Sequence, residues 1–251
     1  MAFGVRQWIS ANQLVSLGLA LALGLIVATV LAGGAMLQVK QLDSSHLSVT
    51  GYAVQQVTSD RVRWHLSLEA QGPNRQAAYK TFMADYDKLV AYLLKNGLTQ
   101  AELSPETLSV YPEMVRLANG NYGSAVDYYK VTKGISIASN KVAVVEKLAQ
   151  GIDTLQAQNL NLTAEPVQYF HSKVEGVKLA LLGKAMENAK DRAKTMTRST
   201  GNRVGSMVTA SSGVFQITAP DSNEVSDWGI YDTSTKVKDV RAVVNTTFVI
   251  N

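Results

Sequence analysis

Residues 61–70, RVRWHLSLEA, alternate without a break: Val62, Trp64, Leu66, Leu68 and Ala70 are apolar, while Arg61, Arg63, His65, Ser67 and Glu69 are polar or charged. A period of two places the first set on one face of a strand and the second on the other, the pattern of a half-buried strand in an antiparallel sheet. The run before it, Leu47–Val57, also reads as a strand. Thr58, Ser59 and Asp60 supply a turn between the two, so the pair is expected to form a hairpin. His65 falls on the polar face among charged neighbours, which is the setting of an ordinary surface histidine.

Downstream the period lengthens. Asn74, after Pro73, is a good cap for a helix running to Asn96, with Gly97 as terminator. Tyr79, Phe82, Tyr86, Leu89 and Leu93 fall on one face of that helix and predict a sheet-packing stripe. Strands are expected near Leu108–Leu117 and Val126–Ala138, joined by a turn-rich link at 118–124. A second helix starts at Ser139 or Asn140 and carries Val142, Val145, Leu148, Ala149 and Ile152. A short strand at Val167–Phe170 leads to a third helix, Val174 to about Ser199, ended by Gly201. Its stripe is Val177, Leu181, Ala185, Ala189, Ala193 and Met196. Strands at Arg203–Thr218 and Val237–Ile250 close the chain. The fold class implied is α+β, with antiparallel hairpins and sheets packed against about three helices.

The N-terminal segment is of another kind. Leu14–Leu37 is 24 residues without a charge. As a helix rising about 1.5 Å per residue it reaches about 36 Å, enough to cross a hydrocarbon core of about 30 Å. The expected organisation is a short cytoplasmic N-terminus at 1–13, a transmembrane signal anchor at 14–37, a linker at 38–46 and an α+β domain at 47–251. Arg6 before the span favours an N-terminus in the cytoplasm and a domain outside the inner membrane. A cleaved signal peptide is the competing reading, given the small residues Ala32, Gly33, Gly34 and Ala35, but the apolar run exceeds the usual length of a signal's core. Ser16, Ala20, Gly24, Ala28 and Ala32 recur every four residues, a strip that would let helix backbones approach closely in lipid.

The chemistry is mostly negative. There is no cysteine, so disulfides, thiolate metal sites and a cysteine nucleophile are excluded. His46, His65 and His171 show no ligand spacing, and no metal or cofactor is expected. No phosphate-binding glycine loop, nucleophile elbow or zinc-protease signature occurs, which argues against an enzyme. The pairs Asp85 with Asp87 and Glu102 with Glu106 read as helix or loop surface. The net charge of +4 is spread along the chain. Its densest basic stretch, Lys173–Arg203, is interrupted by Glu175, Glu187 and Asp191, as on a solvated helix face rather than a nucleic-acid interface. The long link 219–236 is polar except for Trp228 and Tyr231, the composition of an interface anchor unless those rings tuck back onto their own domain.

Val49-Thr50-Gly51-Tyr52, Tyr128-Tyr129-Lys130-Val131-Thr132 with Ile135-Ser136-Ile137, and Lys184 to Ala193 followed by Gly201 and Val204-Gly205 stand in an order that resembles the SIMPL-domain family of YggE-like bacterial envelope proteins. Ala53 stands where that family usually has a second glycine. The closing strand Val243–Ile250 is similar too, so the resemblance covers about Leu47 to Asn251. It implies an α+β fold, a periplasmic or envelope location, self-assembly into ring- or channel-like homo-oligomers in some members, and a loose link to stress tolerance. No catalytic residues are carried over by it. The partners expected are the lipid bilayer and further copies of the chain. The competing readings are a ligand- or partner-binding module acting through 219–236 and, third, a hydrolase with a buried polar cluster in a cleft.

Overall fold

The computed structural model describes residues 13–43 and 46–251. Helix α1 is Gln13–Asp43. The strands are β1 His46–Thr58, β2 Arg61–Gly72, β3 Leu103–Pro105, β4 Ser109–Arg116, β5 Tyr122–Ser139, β6 Asn161–Ala164, β7 Gln168–Phe170, β8 Val204–Ser212, β9 Gln216–Thr218, β10 Ile230–Tyr231 and β11 Val237–Ile250. Between them lie α2 Arg75–Lys95, a 3-10 turn at Gln100–Glu102, α3 Val142–Gln150, α4 Asp153–Gln156 and α5 Val174–Arg198. The fold is α+β with two largely antiparallel sheets, one of five strands and one of six.

The six-stranded sheet is built on β2. Its two edges are taken by β5 on one side and by β6 and β7 on the other, all antiparallel. β3 and β4 add to β5. The apolar face of β2 meets Ala78, Phe82, Leu89 and Leu93 of α2 and Val145 and Leu148 of α3 in one core. Trp64 is buried there and satisfies its indole N–H on the Glu165 carbonyl at 2.9 Å. α2 begins as its sequence dictates: the Asn74 side chain accepts from Ala77 N at 2.8 Å, and Gly97 leaves the helix at φ 105°.

Several expectations are corrected. β1 does not pair with β2; it lies beside β11 in the other sheet, in the order β1-β11-β9-β10 with β8 also on β11. The turn between them is where the chain changes sheets, with Ser59 N donating to Lys236 O and Asp60 N to Phe170 O. On α2, Tyr79 is exposed and Ala78 takes its place in the core. On α5, Leu181, Ala185, Ala189 and Ala193 are buried as expected, but Met196 is exposed and Thr197 is buried instead. The expected strand at 203–218 is two strands, β8 and β9.

The chain divides into two compact units. The larger, residues 52–186 and 212–244, holds the six-stranded sheet and its helices. The smaller contains α1, the start of β1, residues 187–211 and residues 245–251. In the smaller unit Val49, Ala193 and Phe248 form a core, flanked by Leu47 and Val204. Arg192 donates to the Thr50 carbonyl at 2.7 Å and Thr50 Oγ1 to Asn245 at 2.7 Å. Within α1, Leu17–Gly34 has a mean hydropathy of 2.3, and none of it is buried. By length and composition it is able to cross a membrane.

Candidate interaction surface

The long link 219–236 carries one two-residue strand and a set of turn bonds. Its middle residues Ile230 and Tyr231 add a short parallel strand to Gln216 and Ile217. Ser226 organises the turn before them: its carbonyl accepts from Gln216 Nε2 at 2.7 Å and from Gly229 N at 3.1 Å, and its hydroxyl from Trp228 N at 3.3 Å. Gly229 sits at φ 84°, with an added Cβ meeting the Phe215 carbonyl at 2.9 Å, so the turn requires glycine. Held on that turn, Trp228 is 95 % exposed. Tyr231 is half covered and lies 6.1 Å from the Phe170 ring. Of the two aromatic residues expected at an interface, Trp228 projects and Tyr231 leans on its own domain.

A buried cation fixes the far end of this segment. Lys238 on β11 has no exposed surface, and its ammonium donates to the carbonyls of Asp232 and Thr235. Asp232 Oδ2 lies 3.5 Å from it. Burial works against both charges. For Asp232 that cost is outweighed by bonds from Thr235, Ser234 and the lysine, which hold its carboxyl well below the ordinary range. For Lys238 burial prevails over the attraction of Asp232, and its pKa is lowered. Lys236 adds a bond to Glu146 at 2.9 Å.

Beside Tyr231 a small groove of about 170 Å³ is lined by Arg61, Arg63, Phe170, His171 and Ser172. Arg63 stacks over Phe170 at 5.2 Å. Ser172 donates through both N and Oγ to Asp60, and His171 Nδ1 contacts the Thr58 carbonyl at 2.9 Å. A neighbouring groove of about 280 Å³ contains His65, Ser136 and Glu165. There His65 Nδ1 is 3.3 Å from both Ser136 Oγ and Glu106 Oε1, and Ser136 donates to Glu106 at 3.2 Å. A serine–histidine–carboxylate relay uses the two ring nitrogens for two different partners. Here both partners share one nitrogen, so the trio is a hydrogen-bonded triangle and not a relay. His65 is thus more engaged than an ordinary surface histidine, and Gly134 makes the room: a Cβ there would lie 2.3 Å from Glu106 Oε2.

Glu102, expected on a helix or loop surface, is tied at the end of the 3-10 turn. It accepts from Ser139 at 2.6 Å, from Thr99 N and Oγ1 at 2.8 Å, and from Lys141 at 3.1 Å. Desolvation opposes its charge, but these donors win and lower its pKa to about 2. Asp85 does lie on a helix surface, paired with Lys88. The basic stretch on α5 is laced with local pairs, Lys178 with Glu175 and Lys194 with Asp191.

One exposed feature had a weak sequence signal. β5 begins at Tyr122, earlier than expected, so β4 and β5 form a two-stranded ribbon around the 117–121 tip. Tyr111, Leu117 and Tyr122 on it are exposed, Tyr122 by 71 %. Among the described residues no group of three or more metal-ligating side chains comes together. Of the small-residue strip on α1, the Ser16 side chain lies outside the described residues; Gly24 has nothing within 4 Å of where a Cβ would stand.

Comparison with known proteins adds one family. The model described as SIMPL, protein of unknown function (DUF541), matches residues 47–248. No curated protein matches the chain.

Proposed function

The chain belongs to the SIMPL family, and from that premise we propose that it is a non-enzymatic, membrane-anchored envelope protein that assembles with copies of itself into a ring- or channel-like homo-oligomer. The observation that carries the proposal is the wholly uncovered apolar helix at Leu17–Gly34, joined to the family domain through residues 44 and 45. In water such a helix would expose its entire apolar surface; in lipid it costs nothing. In this reading the N-terminus is cytoplasmic and the domain lies outside the inner membrane. Confinement to a plane raises the effective concentration of copies, which favours association through weak contacts. The exposed Trp228 and the β4–β5 ribbon support the assembly half, because apolar groups held out on ordered supports are typical of surfaces that meet another chain. Mass measurement of the full chain in nanodiscs tests it. A mass of several chains per particle is expected; a strictly monomeric species refutes self-assembly.

The near-complete exposure of Trp228, flanked by Asp221, Glu224 and Asp227, favours a second reading, in which 219–236 engages a different partner. Trp228→Ala separates the two. Lost oligomers favour self-assembly through this loop; intact oligomers leave the loop free for another chain.

A further inference from the structure

Arg61 and Arg63 stand two residues apart on the polar face of β2, so their Cα atoms lie about 7 Å from each other. Both line the groove of about 170 Å³ beside Tyr231, which lies wholly within the larger unit. Among the described residues no carboxylate pairs with either guanidinium. Arg63 rests over the Phe170 ring at 5.2 Å. A ring attracts the charge but leaves the N–H donors of the guanidinium untaken.

Two carboxylates stand nearby, and neither supplies the missing charge. Asp60 accepts from Ser172 N and Oγ at 2.7 and 2.6 Å. Glu165 lines the neighbouring groove with Arg63 but forms no ion pair with it. The other basic groups on this face of β2 and β5 do have carboxylates beside them. His65 lies 3.3 Å from Glu106, and Lys130 lies 3.9 Å from Glu69 and 3.4 Å from Glu113. Two cations side by side without a counter-charge repel each other, and an anion between them relieves that repulsion.

The remaining walls set what carries the anion. Phe170 and Tyr231 line the groove with their ring centroids 6.1 Å apart, and Ala138 adds a methyl group. A cavity of about 150 Å³ admits benzene, so this volume holds one ring with a small substituent and little more. A carboxylate matches the guanidinium forks, which bind it through paired N–H···O bonds. We propose that this groove binds a small organic carboxylate, one flat ring bearing one carboxyl group. The carboxylate lies against Arg61 and Arg63, and the ring against Phe170 and Tyr231. The site is independent of whether copies of the chain assemble.

The probe is para-fluorobenzoate, followed by fluorine NMR with the full-length chain in nanodiscs at low salt. A Kd of about 1 mM or tighter is expected, and para-fluorobenzyl alcohol, the same ring without the charge, should bind at least about tenfold more weakly. Arg61→Gln and Arg63→Gln should each weaken the benzoate about tenfold, the loss of a charge-assisted bond. Arg63→Lys keeps the charge but not the fork, and should fall between the parent and Arg63→Gln. Arg75→Gln removes the same charge at the opposite end of β2, where Arg75 lies over Tyr129, and should bind as the parent does. All three arginines are exposed, so each variant should keep its Tm within about 2 °C. No binding at about 20 mM probe, equal binding of the alcohol, or an affinity that survives both Gln substitutions overturns the site. Inorganic phosphate binding as tightly as the probe overturns the organic carboxylate, since the aromatic wall would then add nothing.

Discussion

Replacing Lys238 by Met removes the cation that ties the 219–236 segment to β11 and keeps the side chain's length and apolar stem. The lysine is fully buried and serves three oxygens: the carbonyls of Asp232 and Thr235 and the Asp232 carboxylate. Deleting one partner of a buried pair costs about 3–5 kcal/mol, because the other charge is left uncompensated. Asp232 keeps its donors from Ser234 and Thr235, which shelter the remaining charge. The loss therefore belongs at the low end, about 3 kcal/mol, including two carbonyls without donors at about 1 kcal/mol each. For a domain of this size that corresponds to a fall of about 6–12 °C in Tm. Thermal unfolding of the full chain in detergent reads it, and hydrogen exchange should show faster opening across residues 219–236 than in α2. Asp232→Asn combined with Lys238→Met should recover part of the loss, since the orphaned charge is gone. A Tm within about 2 °C of the unsubstituted chain would refute the reasoning and make the buried ammonium incidental.

Gly72→Ala should destabilise by about 1–3 kcal/mol or more, because a Cβ there would stand 2.4 Å from Ala78 N and 2.8 Å from its Cα, backbone atoms of the first turn of α2 that cannot swing aside; denaturant titration measures it. Glu102 has a depressed pKa, so its contribution is fully present above pH 4.5 and lost as pH falls toward about 2. Glu102→Gln should cost up to about 3 kcal/mol at neutral pH, and the gap between variant and parent should close in acid titration over that window. Leu25→Arg places a charge near the middle of the apolar span, at about 2.5–3.5 kcal/mol, and should lower the fraction of chain recovered in membranes.

The strand faces were legible because alternation reports burial directly: the even residues of β2 from Val62 to Ala70 are all buried. The partners of a strand were not. Alternation says which face is wet but not which edge is bonded, and β1 finds β11 near the far end of the chain rather than the adjacent β2. Helix limits came through at α2 because Asn74 and Gly97 carry their own local chemistry. The stripes slipped at their ends, at Tyr79 and Met196, where a step of one residue turns the helix by about 100° and moves Ala78 or Thr197 inward. β6 and β10 are too short to show a period. Lys238 did leave a trace: it shares the parity of Val240, Ala242 and Val244, the buried face of β11, so a cation on that face needed a partner. Trp228 could be flagged by composition, but its outward placement depends on the Ser226 turn, which no local pattern announces.

The account stands on lipid as the surroundings of Leu17–Gly34. Membranes from cells producing the full chain, washed at alkaline pH and then treated with detergent, decide it directly. Intact chain should remain with the membranes through the wash and be released by detergent; intact chain in the aqueous wash would contradict the account.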